Sequence, residues 1–148
     1  MSKRLILVED DATLARAVGR LLRRGGFEVY LAATCAEARL ASGHFSLGVF
    51  DVDLPDGCGI DLARDLHDQA VVRRCLFFSG TLSATDRQRA SQLGPFISKA
   101  QGFPALRLAI DATLFRVEEQ VVGAESSRVG ESSCPPPSGV RSSQKAPR

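Results

Sequence analysis

The sequence predicts an α/β protein of the (βα)5 kind: a doubly wound, five-stranded parallel sheet in the order 2-1-3-4-5. Three observations lead there. Short apolar runs near residues 4–8, 27–31, 47–51, 75–78 and 95–98 are bounded by turn residues, as buried strands are. Between them apolar residues recur every three or four positions, the spacing of one helix face. The runs also end in polar or charged residues, which a parallel sheet would gather along one rim.

Arg4-Leu-Ile-Leu-Val8 is the first strand and runs into Glu9-Asp10-Asp11. Thr13 to Arg24 carries Leu14, Ala17, Val18, Leu21 and Leu22 on one helical face, with Asp11 as its N-cap and Gly25-Gly26 as its stop. Phe27 to Leu31 is the second strand. Thr34 and Glu37 form a capping box, each bonding the other's backbone N–H, and open a short helix ending near Gly43. Leu47 to Asp51 is the third strand, followed by a loop with Pro55 and two glycines and by a helix from Gly59 to about His67. Cys75 to Phe78 is the fourth strand, ending at Ser79-Gly80-Thr81. Ser83 with Asp86 starts a helix that Gly94 closes. Pro95 to Ser98 is a short edge strand ending at Lys99, and Pro104 fits the first turn of a last helix reaching Val122.

Beyond Val122 the composition turns to Ser, Gly, Pro and Arg, with Pro135-Pro-Pro137 and no apolar period. Such a segment cannot bury enough surface to offset its ordering entropy. The expected organisation is therefore one domain over residues 1–122 and a disordered tail over 123–148.

Charge supports that division. The chain carries a net +2, and Arg128, Arg141, Lys145 and Arg148 against Glu125 and Glu131 account for it. Residues 1–122 are neutral, with 15 charges of each sign, which argues against a nucleic-acid partner. The four cysteines, Cys35, Cys58, Cys75 and Cys134, show no CxxC pair or histidine at metal spacing. No leader and no run long enough to span a membrane is apparent, so a cytoplasmic chain with reduced thiols and no membrane insertion is expected.

The chemistry lies at the strand ends. In this strand order the first and third strands flank the crevice, which brings Glu9, Asp10 and Asp51 together. Clustered carboxylates repel, and a hard divalent cation relieves the repulsion; Mg²⁺ takes one or two carboxylates, waters and phosphate oxygens. A carboxylate beside Mg²⁺ can attack phosphorus to give an aspartyl phosphate. Mg²⁺, Lys99 and the Ser79 hydroxyl would then each hold one equatorial oxygen.

With these residues in place the chain resembles the receiver domain of two-component response regulators, of the single-domain, chemotaxis type, whose fold is flavodoxin-like. The resemblance covers residues 4–122 and rests on Glu9-Asp10, Asp51 with Pro55, Asp56-Gly57, Gly59, Ser79-Gly80 and Lys99. It implies that Asp51 takes a phosphoryl group from a sensor histidine kinase or phosphotransfer protein. It implies Asp10 as a direct Mg²⁺ ligand, Glu9 as one acting through water, and Asp53 as the donor of a backbone carbonyl. Ser79 would follow the phosphoryl group, and Phe96 matches the aromatic switch residue. The output would be contact with a downstream protein through the face of the fourth helix, fifth strand and fifth helix. The chain departs from the pattern in three places: Ala100 stands where proline, often after a cis peptide, is usual. Gly94-Pro95-Phe96 is a shortened turn, and Phe96 lacks a tyrosine hydroxyl.

Those departures leave a second reading, a pseudo-receiver that docks without being phosphorylated. A third, a haloacid-dehalogenase-like phosphatase, finds its DxD in Asp51 and Asp53, but that motif should lie on the first strand of the core, and here the acidic pair Glu9-Asp10 comes first. Plainer readings apply elsewhere. The Asp53 side chain is a loop acid, and Thr81 a turn residue. His44, His67, Arg23-Arg24 and Arg73-Arg74 are solvated. Cys58, with no basic neighbour in sequence, is an inert thiol.

Overall fold

A computed structural model describes residues 3–80 and 82–122, with side chains to residue 115. In chain order its elements are β1 (Arg4–Val8), α1 (Ala12–Arg24), β2 (Glu28–Ala32), α2 (Cys35–Arg39) and β3 (Phe45–Phe50). There follow β4 (Asp53–Leu54), β5 (Gly57–Cys58), α3 (Gly59–Asp68), β6 (Val72–Ser79), α4 (Ala84–Ser91), β7 (Phe96–Ser98), a 3₁₀ turn at Lys99–Gln101 and α5 (Gly102–Val122). The expected tail, with Cys134 and the three prolines, lies outside the described residues, as does Thr81.

Five strands form one parallel sheet in the order β2-β1-β3-β6-β7, which is the expected order once the two-stranded β4–β5 hairpin is set aside. Successive residues of a strand face opposite ways, and both faces here are covered. Ile6, Val8, Phe50 and Phe77 pack with Ala38 of α2 and Ile60, Leu62 and Leu66 of α3. Leu5, Leu7, Leu47, Val49, Leu76 and Phe78 pack with Val18 and Leu22 of α1 and Leu106, Ile110 and Leu114 of α5. That is why the central strands read as unbroken apolar runs. Phe45, Phe50 and Phe77 are wholly buried, and each such side chain stabilises the fold by about 1.5–3 kcal/mol.

Several boundaries differ from expectation, each for a local reason. β3 begins at Phe45 and β6 at Val72 because the two pair from Phe45↔Val72 onward, so Arg73 and Arg74 are strand residues and Arg74 is half-buried opposite Leu47. α2 stops at Arg39, short of Gly43, whose left-handed φ of 88° turns the chain into β3. Its capping box is altered: Thr34 accepts from the Glu37 N–H (3.0 Å), but Glu37 reaches back to the N–H of Ala33 (2.8 Å) rather than Thr34. The two histidines are exposed yet not merely solvated. His44 Nδ1 lies 3.0 Å from the Ala70 carbonyl, and His67 Nδ1 lies 3.4 Å from that of Val72.

The short turn before β7 is dictated by packing. A Cβ on Gly94 would lie 1.8 Å from the Cys75 carbonyl oxygen, so backbone meets backbone where α4 returns to the sheet. Neither side can yield. Gly94→Ala should therefore lower stability by about 1–3 kcal/mol, read as a lower urea midpoint at unchanged slope.

Candidate functional site

The rim at the carboxyl ends of β1, β3, β6 and β7 carries the polar residues, and backbone bonds fix where each stands. Glu9 follows β1 and donates its N–H to the Ala32 carbonyl at 2.9 Å. Asp51 follows β3 and donates to the Val8 carbonyl at 2.9 Å. Both are buried, at 3% and 6% exposure, although they are acids. Gly59 seals the loop after Asp51: its N–H meets the Val52 carbonyl at 2.7 Å, and a Cβ there would lie 1.8 Å from the Asp51 carbonyl oxygen.

Every oxygen of the buried pair has a partner. Ser79, the last residue of β6 and itself buried, donates Oγ–H to Asp51 Oδ1 at 2.8 Å and accepts from the Val52 N–H at 3.4 Å. Lys99 Nζ donates to Asp51 Oδ2 and pairs with Glu9 Oε1, both at 2.9 Å. Glu9 Oε2 accepts the Asp11 N–H at 3.1 Å. Burial pushes the Glu9 carboxyl above its ordinary range, and the Asp51 charge adds to that, against the opposing pull of Lys99 and the Asp11 N–H. For Lys99 burial works against the charge, but the bonds to Asp51 and Glu9 outweigh it and hold the ammonium above its usual range.

Asp10 is exposed, and Asp11 is the α1 N-cap, accepting from Thr13 and Leu14 at 3.0 and 3.1 Å. Glu9, Asp10 and Asp51 each bring a carboxylate oxygen within 4.8 Å of the others. Such an all-oxygen set, two members buried and one open to water, fits a hard divalent cation such as Mg²⁺. The Asp53 carboxylate is not part of the set: its side chain is exposed on β4, opposite Cys58.

The departures noted in sequence leave Lys99 in place. The Lys99–Ala100 peptide is trans. In place of a proline, Ser98 accepts the Ala100 N–H at 3.2 Å and Gln101 accepts the Ser98 N–H at 2.9 Å, a capping box that aims the turn. Phe96 is half-buried, with the Arg87 guanidinium 5.1 Å from its ring centre. One reading needs correction. Cys58 has a basic neighbour after all, since Arg89 of α4 lies against it and against Asp61. Asp56, quoted in sequence only for its place in a motif, holds the N-terminus of α2, which nothing in its local sequence announces.

A doubly wound domain with an acidic pocket at its switch point, closed by a hydroxyl and an ammonium, defines a class of α/β protein. The chain belongs to the response regulator receiver domain family, which matches residues 5–111. Protein PetR of Rhodobacter capsulatus is 33% identical over 123 residues, covering 79% of this chain and 51% of that protein. The sensor protein TorS of Escherichia coli is 34% identical over 94 residues, 61% of this chain and 10% of that one. The chain thus spans about half or less of these curated relatives. Among solved structures, a CheY-like receiver domain protein from Methanospirillum hungatei superposes with a TM-score of 0.74 at 26% identity, over 81% of this chain and 99% of that one. The non-phosphorylated HemR receiver domain of Leptospira biflexa does so with 0.67 at 30%, over 76% and 94%. Among the described residues no helix is long and apolar enough to cross a membrane.

Removing Lys99 should expose what it offsets. In metal-free buffer at pH 7, Lys99→Ala should lose about 2–3 kcal/mol in urea unfolding, less than a fully buried pair because 28% of the Lys99 side chain meets solvent. The deficit should shrink as pH falls through the carboxylate range. With its pKa raised, folded Glu9 takes up a proton before the unfolded chain does, so acid favours the folded variant. The contribution of Lys99 itself is whole below its ordinary 10.5 and fades only as pH climbs through the raised folded value.

Proposed function

We propose that Asp51 accepts a phosphoryl group, with Mg²⁺ as cofactor, from a sensor histidine kinase or a phosphotransfer protein. The observation that carries this is the Asp51 carboxylate held at 2.8 Å by Ser79 and 2.9 Å by Lys99, beside Glu9 and Asp10. An Asp51 oxygen forms the new O–P bond as the donor's P–N bond breaks, and the departing imidazole takes up a proton. When bound, Mg²⁺ supplies charge neutralisation at a phosphoryl oxygen. Lys99 is placed to neutralise a second oxygen, and the Ser79 hydroxyl to turn from Asp51 Oδ1 toward a third. Asp10 and Asp51 are the side chains to hold the metal directly, with the Asp53 backbone carbonyl. Glu9, bonded to Lys99 and to the Asp11 N–H, would act on the metal through water.

The chain in this reading is a phosphoprotein of a cytoplasmic phosphorelay and not a phosphatase. Residues 1–122 are its receiver domain and 123–148 a tail. Its output is contact with a downstream protein through the face of α4, β7 and α5, where Phe96 sits under Arg87. The pseudo-receiver alternative drew its support from Ala100 and the short turn, and loses it because Lys99 still reaches both acids at 2.9 Å. A protein donor must come to the rim from which α1 departs. Along α1, from Arg16 near that rim down to the helix's far end, Arg16, Arg20, Arg23 and Arg24 line a shallow cavity of about 430 Å³. Among the described residues no ion pair neutralises them. That face suits a donor with an acidic surface.

Acetyl phosphate with Mg²⁺ should add one phosphoryl mass to the wild type, and chelation or Asp51→Asn should abolish it. Labelling that persists in Asp51→Asn overturns the assignment of the acceptor. Reversing charge at Arg16 and Arg20 (both →Glu) should slow transfer from the protein donor about tenfold or more and leave acetyl phosphate labelling unchanged.

A further inference from the structure

Asp56 stands at the turn of the β4–β5 hairpin, in the loop that leaves Asp51, and its carboxylate crosses to another part of the chain. It accepts the backbone N–H of Cys35 at 2.8 Å and of Ala36 at 3.0 Å, the first two residues of α2. These bonds, that from Cys35 first, hold the Asp56 carboxyl below its usual range. α2 does not depend on Asp56 for a cap, because Thr34 serves the Glu37 N–H and Glu37 serves that of Ala33. Asp56 takes the two donors that this local capping leaves over.

The segment it grips is the one that also holds Glu9. The Glu9 N–H donates to the carbonyl of Ala32, at the end of β2, three residues before Cys35. Residues 32–36 are therefore a common anchor for both acid-bearing loops, one through Ala32 and Glu9, the other through Cys35, Ala36 and Asp56. The base of the Asp56 loop has separate fastenings: the Gly59 N–H to the Val52 carbonyl at 2.7 Å, and the burial of Val52 and Leu54. Loss of the Asp56 carboxylate would leave the loop folded but untied from its anchor.

We propose that Asp56 is a positioning residue that sets the divalent-cation affinity of the Glu9–Asp10–Asp51 pocket by fixing the loop after Asp51 against the loop after β1. This rests on the reading of that pocket as a cation site. The Asp56 carboxylate is no metal ligand, because both its oxygens point to α2. It acts as outer-shell groups do on the ligands they orient.

The test is calorimetric titration of the full chain with MgCl₂, and acetyl phosphate labelling run separately. Asp56→Ala should weaken Mg²⁺ binding about tenfold or more, and Asp56→Asn, which keeps one acceptor oxygen, should fall between it and the wild type. Thr34→Ala removes the local cap of α2 without touching the tie, and should bind Mg²⁺ as the wild type does. Wild-type affinity in Asp56→Ala overturns the proposal, as does an equal loss in Thr34→Ala, which would mean that the integrity of α2 alone matters. A wild-type chain that takes up no Mg²⁺ overturns it too. If the wild type binds Mg²⁺ and is not labelled, the phosphoacceptor reading fails, while the affinities of the variants still decide the role of Asp56.

Discussion

Two buried carboxylates side by side are tolerable only with a positive charge between them, and here that charge is the Lys99 ammonium. It sits 2.9 Å from an oxygen of each acid. In strand order β7 lies two places from β3 and three from β1, about 10 and 15 Å at ordinary spacing. The lysine therefore needs its full length, and the residue at the end of the intervening strand must be small. Ser79 meets that need and adds a hydroxyl of its own. The ends of four strands are thus joined by three side-chain contacts, and the geometry of the rim follows from them.

Beneath the rim the sheet carries little chemical information. Its two faces are closed by apolar packing, α2 and α3 on one and α1 and α5 on the other. That symmetry lets the carboxyl ends of the strands be the polar edge at small expense in stability, because the interior does not rely on them. The backbone carries the acids outward to a fixed height, Glu9 through Ala32 and Asp51 through Val8.

How far this was legible in the sequence depends on the range of the interaction concerned. Strand runs, the Asp11 and Ser83 caps and the gathering of Glu9, Asp51, Ser79 and Lys99 at strand ends follow from local pattern plus one topological rule. The β4–β5 hairpin is two residues a side, too short for any alternation to register. The start of β6 was hidden because Arg73 and Arg74 interrupt the apolar run, yet pairing with β3 overrides that interruption. Asp56 to Cys35 and Arg89 to Cys58 link residues more than twenty positions apart, and neither leaves a trace in periodicity. Ala100 misled in the other direction: Ser98 and Gln101 supply by hydrogen bonds the constraint that a proline ring would supply covalently.

α4 differs from the other helices in how it is attached. Ala90 is its one buried residue, whereas the Asp61–Arg89 ion pair and the Arg87 guanidinium over Phe96 make up much of the rest of its hold. Contacts of that kind weaken as counter-ions crowd in, while apolar packing does not. Ionic strength thus acts as a selective solvent variable on this domain. It loosens the one helix whose freedom bears on Phe96, and leaves α1, α3 and the sheet as they were.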